Sequence, residues 1–561
     1  MIIGAAIASR LFFLQILERK VYEAQALGQQ VTFNNVMGSR GQIFCQNSQE
    51  TQGQQGSGGM KSLAVNRNSW TISVSPKEVI DKLNFAKTIS PLIDSPEDQV
   101  ALELNGQDNY IVLKKGLSDS DLGAIKALKL KGLSWQNEPD RFYPQGQMAS
   151  QVVGFLGGAG LGQYGVEGYY EDALKGRLGV QEDESGINSI FQNDNQPPLD
   201  GADIYLTIDY NIQFQAENFL EQEQKKDDID SGQIIVLKPD TGKILALANF
   251  PNFDPNQYSK EKDLSIFQDS AVQKLFEPGS IMKPFTMAAA INEGKITPDT
   301  TYVDTGVVSF GTKSIHNFAN EIYGKQTMTQ VLENSINTGA VFAEQQIPHK
   351  TFFDYLDKFG FNEKTGIDLQ GEVYSRNDNL RNGPDMNYAT ASFGQGIELT
   401  PMQIARAFCA LSNGGRLVKP YIVDKIVAPL ESGQEENDTQ PDISDPVVSQ
   451  QTLSQINSML IDVADKGFGG VAKIPGYYFA GKTGTAQVPL KNQKGYDPDR
   501  TIQSYVGYGP VSNPQFLILV KLDNPKVPKS ALSAVPVFKQ LAQYIINYWQ
   551  IPPDYDSTAK Q

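Results

Sequence analysis

The most constraining feature of the chain is a serine followed three residues later by a lysine at the predicted start of an apolar helix. Ser280 and Lys283 stand after Pro278-Gly279 and before the largely apolar run Phe285–Ile291. Pro-Gly favours a turn into the helix, and Pro284 is tolerated only in a first helical turn. Residues at i and i+3 share a helix face, with Cβ atoms roughly 5–6 Å apart. Because a buried lysine can lose its proton near neutral pH, the pair offers a nucleophile and a base without a histidine.

Two further short motifs follow this pair, and their order along the chain is informative. They are Ser335-Ile336-Asn337 and Lys482-Thr483-Gly484. The second motif follows an aromatic run and predicts a strand over Tyr477–Gln487. A serine–lysine pair, then Ser-x-Asn, then Lys-Thr-Gly is the signature of penicillin-binding proteins and serine β-lactamases. Residues two apart on a strand face the same side, so Thr483 and Thr485 are expected to lie side by side.

Each motif has a second copy, and context separates the copies. Ser259 and Lys262 repeat the serine–lysine spacing in a polar segment that we expect to be solvated. Ser375-Arg376-Asn377 lies in a polar loop, and Lys364-Thr365-Gly366 follows a predicted helix end capped by Gly360. Short motifs have high false-positive rates when taken alone. We therefore assign chemistry only to the copies with the favourable context.

From about Gly201 to Tyr548 the chain resembles the transpeptidase domain of class B penicillin-binding proteins. Supporting stretches are Leu237–Ala248, Asn249–Asn256 and Phe393–Gln403. The resemblance implies an α+β fold. In that fold a penicillin-binding, serine β-lactamase-like transpeptidase domain, an antiparallel sheet flanked by helices, follows an elongated N-terminal pedestal domain.

The resemblance also implies a serine acyl-enzyme and a role for each motif residue. Ser280 would attack the carbonyl of a D-Ala-D-Ala stem peptide, and Lys283 would act as the base. Ser335 would relay a proton towards the leaving amine, close to Lys482. Asn337 would bind the acyl side chain and orient Lys283.

The third motif is expected to bind the substrate. Thr483, Thr485 and Lys482 would bind the terminal carboxylate, and Gly484 would leave room for the substrate backbone. The backbone N–H groups of Ser280 and Thr485 would form the oxyanion hole. No cofactor and no metal are implied.

Three functions stay open at this point. The first is a peptidoglycan D,D-transpeptidase. The sequence Glu277-Pro-Gly-Ser of this chain is closer to the septal, cell-division type than to the elongation type. The second is a D,D-carboxypeptidase or β-lactamase of the same fold. Class A β-lactamases use a dedicated glutamate for hydrolysis, and spacing identifies none here, since Glu333 and Glu398 are expected in surface or cap roles. The third is a non-enzymatic scaffold or β-lactam sensor, against which the intact motifs argue.

At 561 residues the chain is too long for a single hydrophobic core. We expect the remnant of an N-terminal membrane anchor over 1–20, a dimerisation or pedestal domain over 21–195 and the transpeptidase domain over 196–561. Arg40–Phe44 resembles the opening strand of the family's pedestal. A Gln/Gly/Ser-rich segment follows that strand and puts the local hairpin in question. Pro76–Leu130 is expected to form a small inserted lobe of helices and strands.

The N-terminus carries two short apolar runs, Met1–Ser9 and Leu11–Leu17, which Arg10 interrupts. A membrane span needs about 20 apolar residues, so we interpret this segment as the end of an anchor whose beginning is missing from this chain. An amphipathic soluble helix is the alternative. The resemblance implies a single-pass protein of the cell membrane with its catalytic domain on the extracytoplasmic side.

The expected partners follow from the same resemblance and from the charge. They are peptidoglycan stem peptides, β-lactams as inhibitors, a polytopic glycosyltransferase and divisome proteins. The net charge of −16 argues against nucleic-acid binding. The acidic segment Glu431–Asp442 is expected to be a solvated loop. Cys45 and Cys409 lie in separate regions, so we expect no disulfide between them.

Overall fold

A computed structural model describes residues 33–48, 59–106, 108–182, 198–430, 433–467, 470–490 and 495–556. The anchor remnant expected over 1–20 lies outside these residues. Among the helices of the described ranges, none combines the length and the apolar character that crossing a bilayer requires.

The described ranges contain the following strands and helices. The strands are β1 Phe33–Met37, β2 Ile43–Asn47, β3 Gly59–Val74, β4 Ile111–Leu117, β5 Leu133–Phe142, β6 Phe155–Leu156, β7 Gly162–Gln163, β8 Leu178–Glu182, β9 Asp203–Asp209, β10 Ser231–Leu237, β11 Ile244–Phe250, β12 Thr301–Asp304, β13 Val307–Phe310, β14 Lys313–His316, β15 Gly324–Thr327, β16 Arg416–Val418, β17 Val423–Leu430, β18 Gly433–Asp438, β19 Ile443–Pro446, β20 Ala480–Pro489, β21 Tyr496–Gly509 and β22 Phe516–Asp523. The α-helices are α1 Lys82–Ile93, α2 Glu97–Leu104, α3 Asp119–Ala127, α4 Ser150–Val153, α5 Gly165–Tyr169, α6 Glu171–Leu174, α7 Tyr210–Asp227, α8 Ser270–Gln273, α9 Lys283–Asn292, α10 Met328–Glu333, α11 Asn337–Glu344, α12 His349–Lys358, α13 Asp385–Ala391, α14 Pro401–Ser412, α15 Gln450–Lys466 and α16 Ala534–Trp549.

A five-stranded antiparallel sheet forms the centre of the C-terminal half, with the strand order β11-β10-β22-β21-β20. Successive residues of a strand point to opposite faces of the sheet. The run of apolar residues in β10 therefore requires helices to cover both faces. Ile234 and Val236 of β10 pack with α7 and α16 on one face. Ile235 and Leu237 pack with α9, α14 and α15 on the other. The expected arrangement, an antiparallel sheet flanked by helices, is confirmed.

A second sheet joins the two halves of the chain. Its strand order is β18-β17-β9-β2-β3-β4, and β5 also pairs with β3. The β2–β9 pair is parallel, with Ile43 opposite Ile204. Because β17 and β18 come from the C-terminal half, one sheet and one continuous core contain residues from both halves.

The N-terminal region has the hairpin and the lobe discussed above. β2 and β3 pair antiparallel, with Ile43 opposite Ala64, so the hairpin is present despite the unusual segment between its strands. α1, α2, α3 and β4 form the expected inserted lobe around a separate small core that includes Phe85, Ile89 and Leu122.

A buried ion cluster stabilises this region next to the lobe. Glu167 of α5 is 0% exposed. Its carboxylate pairs with Arg40 at 2.6 Å and with Arg141 at 2.7 Å. A buried charge persists only when it is paired and hydrogen-bonded. The cluster therefore joins the segment before β2 to β5 and α5.

The acidic segment after β17 is not the loop that its charge suggested. Residues Gly433–Asp438 form the edge strand β18, which is exposed throughout and pairs with β17. An edge strand needs no buried face, and its charges discourage pairing with other chains. Cys45 and Cys409 are both buried, and neither forms a disulfide among the described residues.

Candidate active site

Ser280 lies in a short 3₁₀ turn, Gly279–Met282, that leads directly into α9. Gly279 has φ +60°, a conformation that glycine adopts without a steric penalty. Pro284 occupies the first turn of α9, as its position required. Residues 283–291 of this helix are all buried, so it is a central helix of the core, while Ser280 stays partly exposed.

The Ser280 turn is held between β20 and the loop that precedes α14. The N–H of Gly279 donates to the carbonyl of Gly394 at 2.9 Å. A Cβ at Gly394 would lie 2.1 Å from the carbonyl oxygen of Gly279, and a Cβ at Gly279 would lie 3.2 Å from that of Thr485. The backbone of Gly394 and that of Thr485 therefore lie close to Gly279, the residue before the serine.

Gly484 was expected to leave room for the substrate backbone, but the space beside it is filled by neighbouring protein atoms. A Cβ at this position would lie 2.4 Å from Oγ of Ser504 and 3.0 Å from the carbonyl oxygen of Pro278. The space is therefore occupied by the protein itself. The missing side chain lets the Ser280 turn approach β20.

Lys283 is 0% exposed and is surrounded by the Ser335–Asn337 segment. Its Nζ lies 2.5 Å from the carbonyl oxygen of Ser335, 2.9 Å from Oδ1 of Asn337 and 3.3 Å from Oγ of Ser335. A neutral amine has two N–H donors, which the carbonyl and the amide oxygen can accept. Its lone pair is then available to accept a proton from a hydroxyl.

Lys482 approaches the same serine from β20. Its Nζ lies 3.0 Å from Oγ of Ser335 and 3.3 Å from both the carbonyl oxygen and Oγ1 of Thr483. Lys482 is also 0% exposed. The Ser335 hydroxyl is thus within hydrogen-bond distance of two buried lysine amines.

Both lysines have a lowered pKa. Burial, which disfavours the charged form, and the nearby charge of Lys482 together hold the pKa of Lys283 well below its ordinary value. Burial lowers the pKa of Lys482 to about 7. The site therefore favours neutral amines, which can accept protons.

The Ser335–Asn337 segment has an unusual backbone. Ser335 has φ +55°, in the left-handed region that residues with a side chain rarely adopt. Asn337 then begins α11, and its Nδ2 donates to the carbonyl of His316 at 3.1 Å. Strained residues of this kind cluster at functional sites.

β20 begins at Ala480, three residues later than predicted, because the preceding Tyr477 and Phe479 pack into the core as part of a loop. Thr483 is buried beside the amine of Lys482. Thr485 is partly exposed, and its Oγ1 lies 3.4 Å from Oγ of Ser530. Ser530 is a neighbour that the sequence did not identify.

The second copies of the motifs have structural roles. Ser259 and Lys262 are exposed. The N–H of Thr365 donates to the carboxylate of Glu372 at 2.6 Å, and Nδ2 of Asn377 donates to Oδ1 of Asn362 at 2.9 Å. The polar context of the Ser259–Lys262 copy predicted its exposure.

Sequence reasoning also missed the polar groups behind Asn337. The hairpin β13–β14 supplies the His316 carbonyl, and Asp304 lies at its base. A signal was available in Asp304-Thr305-Gly306, since aspartate two residues before glycine often accepts a local backbone hydrogen bond. Oδ1 of Asp304 does accept the N–H of Gly306, at 3.0 Å.

Comparison with known families agrees with this architecture. Residues 232–543 match the model described as the penicillin binding protein transpeptidase domain, and residues 36–206 match that of the penicillin-binding protein dimerisation domain. Fold and site thus define a peptidoglycan transpeptidase domain carried on a dimerisation domain. The chain belongs to the class B penicillin-binding proteins and is an enzyme with serine-type D,D-transpeptidase activity.

Individual relatives extend over most of the chain. Stage V sporulation protein D of Bacillus subtilis is 33% identical over 473 residues, which cover 83% of this chain and 73% of the relative. A peptidoglycan D,D-transpeptidase FtsI homolog of Mesostigma viride is 28% identical over 588 residues, covering 98% and 94%. The crystal structure of penicillin-binding protein 3 of Mycobacterium tuberculosis with aztreonam has a TM-score of 0.70 at 25% identity, covering 93% of this chain and 98% of that chain.

Proposed function

We propose that Ser280 is the nucleophile and Lys283 the base that activates it. The observation that carries the proposal is the fully buried amine of Lys283, which is oriented by Ser335 and Asn337 and has a strongly lowered pKa. A desolvated lysine is neutral enough to accept the serine proton. Lys283 follows Ser280 by one helical turn, which puts the amine on the serine's side of the helix.

The proposed reaction has two acyl-transfer steps. Ser280 Oγ forms a bond to the D-Ala-D-Ala carbonyl carbon as its proton passes to Lys283. The C–N bond to the terminal D-alanine then breaks, and Ser335 passes a proton to the leaving amine. Its hydroxyl is suited to this because it contacts both Lys283 and Lys482. Ser335 regains its proton from Lys283, with which it is in contact, so that the amine is neutral again. In the second step an acceptor amine gives a proton to Lys283 and forms a C–N bond to the acyl carbon. The C–O ester bond then breaks, and Ser280 Oγ takes the proton back from Lys283.

We further propose that β20 binds the substrate's carboxyl end. Lys482, Thr483 and Thr485 supply one amine and two hydroxyl groups on this strand. The negative charge of a bound carboxylate favours the protonated form of the Lys482 amine. The backbone N–H groups of Ser280 and Thr485 are the proposed oxyanion hole. The contact of Gly279 with Thr485 supports this assignment, since it brings the two segments together. Loss of one such donor typically costs about 10²–10³ in rate.

We also propose the wider setting of the enzyme. β-Lactams, one of which is bound in the Mycobacterium tuberculosis structure, are expected to acylate Ser280. The FtsI-named relative supports a septal role with divisome partners and a glycosyltransferase. We propose that a single-pass anchor attaches the protein to the cell membrane, and that the pedestal over 21–195 and the transpeptidase domain over 196–561 lie on the extracytoplasmic side.

Labelling with a fluorescent penicillin tests the central assignment. Ser280→Ala should abolish labelling because it removes the attacking oxygen, whereas Ser259→Ala, at the exposed second copy, should label like the parent. Undiminished labelling of Ser280→Ala would remove Ser280 from the mechanism. The lifetime of the label on the parent enzyme separates the candidate activities, since a transpeptidase should hold it for hours and a β-lactamase should release it in seconds.

A further inference from the structure

Asn337 must present the correct end of its amide for the proposed mechanism to operate. Oδ1 lies 2.9 Å from Nζ of Lys283, and Nδ2 donates to the carbonyl of His316 at 3.1 Å. An amide rotated by half a turn would direct its N–H₂ group at the lysine, where an acceptor is needed. The His316 carbonyl, at the end of β14, therefore determines which atom of Asn337 faces Lys283.

The position of that carbonyl depends on the next residue, Asn317, which is 4% exposed. Oδ1 of Asn317 accepts the N–H of Thr338 at 3.1 Å. Nδ2 of Asn317 donates to Oδ2 of Asp304 at 2.9 Å and to the carbonyl of Glu321 at 3.1 Å. Asn317 thus connects the end of the hairpin to the first turn of α11.

Asp304 is the centre of this network and is 2% exposed. Besides the bond from Asn317, its carboxylate accepts the Thr338 hydroxyl at 2.6 Å, the N–H of Tyr323 at 2.7 Å and the N–H of Gly306 at 3.0 Å. Burial alone would raise the pKa of Asp304, but the bonds from Thr338, Tyr323, Gly306 and Asn317 outweigh it and lower the pKa. The group is therefore a carboxylate that fixes four donors.

We propose that Asp304 is a positioning residue for acylation: through Asn317 and Thr338 it fixes the β13–β14 hairpin on α11, and this holds the Asn337 amide in the orientation that serves Lys283. The inference rests on the proposed role of Lys283. Asp304 does not contact that lysine in the described network, so its effect passes through Asn337.

The first experiment measures the rate of acylation by a fluorescent penicillin, per folded molecule, in Asp304→Asn. The new amide would direct its N–H₂ group at groups that are themselves donors, so the network should break. The acylation rate should then fall by up to about 10²-fold, a typical cost when a group at a reacting centre is slightly misplaced. Asp368→Asn is the matched control. Asp368 is also buried and accepts from the N–H groups of Ile422 and Val423 and from the Tyr170 hydroxyl. It should lose stability but keep its acylation rate.

The second experiment measures coupling with Asn337. If Asp304 acts through the amide, Asp304→Asn should cause no further loss of rate in an Asn337→Ala background, because interacting residues are not additive. Equal losses in both backgrounds would overturn the inference, as would an Asp304→Asn rate equal to that of Asp368→Asn.

A milder pair of variants covers the case in which Asp304→Asn does not fold. Thr338→Val keeps the shape of the side chain but removes the hydroxyl bonded to Asp304, and Thr338→Ser restores that hydroxyl. The valine variant should acylate more slowly and the serine variant at nearly the parent rate; equal rates would contradict the proposal. Lys283→Ala tests the underlying function separately, because unchanged acylation there would defeat the assignment of Lys283 whatever Asp304 does.

Discussion

At the scale of single residues, the site contains two buried lysine amines, and burial shifts both towards the neutral form. Lys283 and Lys482 both lie within 3.3 Å of Oγ of Ser335. Desolvation lowers the pKa of each amine, so more of it is unprotonated near neutral pH and available to accept a proton. The same desolvation destabilises the folded protein, because a lysine in the unfolded chain is free to bind a proton. Activity and stability are therefore expected to conflict at these two positions.

Lys482→Met should stabilise the protein near pH 7. Burial lowers the folded-state pKa of Lys482 from 10.5 to about 7, so between these values the unfolded chain binds more protons than the folded one. The stability of the parent should then rise with pH across this window, by roughly 1.4 kcal/mol for each unit of pKa shift at most. The advantage of the methionine variant should be largest near pH 7 and disappear towards pH 10.5, as measured by urea unfolding.

Exposed Lys262→Met serves as the control and should change the free energy of unfolding by less than about 0.5 kcal/mol. If the difference in free energy of unfolding between Lys482→Met and the parent does not change with pH, the buried amine is not the cause of the lost stability.

At the scale of elements, the Ser280 turn owes its position to glycines on the neighbouring segments. Gly484 on β20 and Gly394 in the loop before α14 each leave the space that a side chain would need. The N–H of Gly279 donates to the carbonyl of Gly394, and a Cβ added to Gly279 would lie 3.2 Å from the carbonyl oxygen of Thr485 on β20. The turn can reach this position only because three glycines meet there.

Gly394→Ala should slow acylation strongly. The new Cβ would lie 2.1 Å from the carbonyl oxygen of Gly279, and the residue has φ +83°. The left-handed backbone alone should cost about 1–2 kcal/mol, and relief of the clash must displace the Ser280 turn. Acylation rate and free energy of unfolding, measured on the same sample, should both fall.

Gly294→Ala separates the two effects, since Gly294 has φ +65° but nothing within 4 Å of its added Cβ. Gly294→Ala should lose only the stability that a left-handed backbone costs an alanine, and it should keep its acylation rate. Equal acylation by the two variants would show that the turn does not depend on the 394 contact.

At the scale of the whole molecule, we expect the two halves to unfold as one unit. The sheet that contains β2, β3, β9, β17 and β18 crosses the boundary between them, and the main core includes residues from both. A disturbance of the N-terminal region should therefore reach the active site by unfolding the whole rather than by altering the site.

Glu167→Ala should destabilise the protein by about 3–5 kcal/mol, because it leaves the buried guanidinium of Arg141 uncompensated. On heating, penicillin labelling should disappear at the same temperature as the circular dichroism of the helices. Asp140→Ala, which breaks the exposed pair with Arg67, should cost no more than about 1 kcal/mol. Labelling that persists after the N-terminal region has unfolded would contradict the prediction that the two halves unfold together.

The sequence by itself determined what depends on neighbours along the chain. It predicted the Pro-Gly turn before Ser280, the helix that follows it and the glycine end of α12, because backbone preferences act over a few residues. Thr400 begins α14 through a capping box with Gln403, a pattern of neighbouring residues that was not predicted. The ordered motifs further identified the fold class.

Only the tertiary structure brings the three motifs into contact. Ser335 lies 52 residues from Lys283 and 147 from Lys482, so no local preference can specify their contact. The burial that lowers both pKa values, the use of Gly484 for the Ser280 turn and the network around Asp304 all arise from packing between distant segments. A pattern of residues specifies which groups are present, whereas their protonation depends on the water that the completed fold excludes.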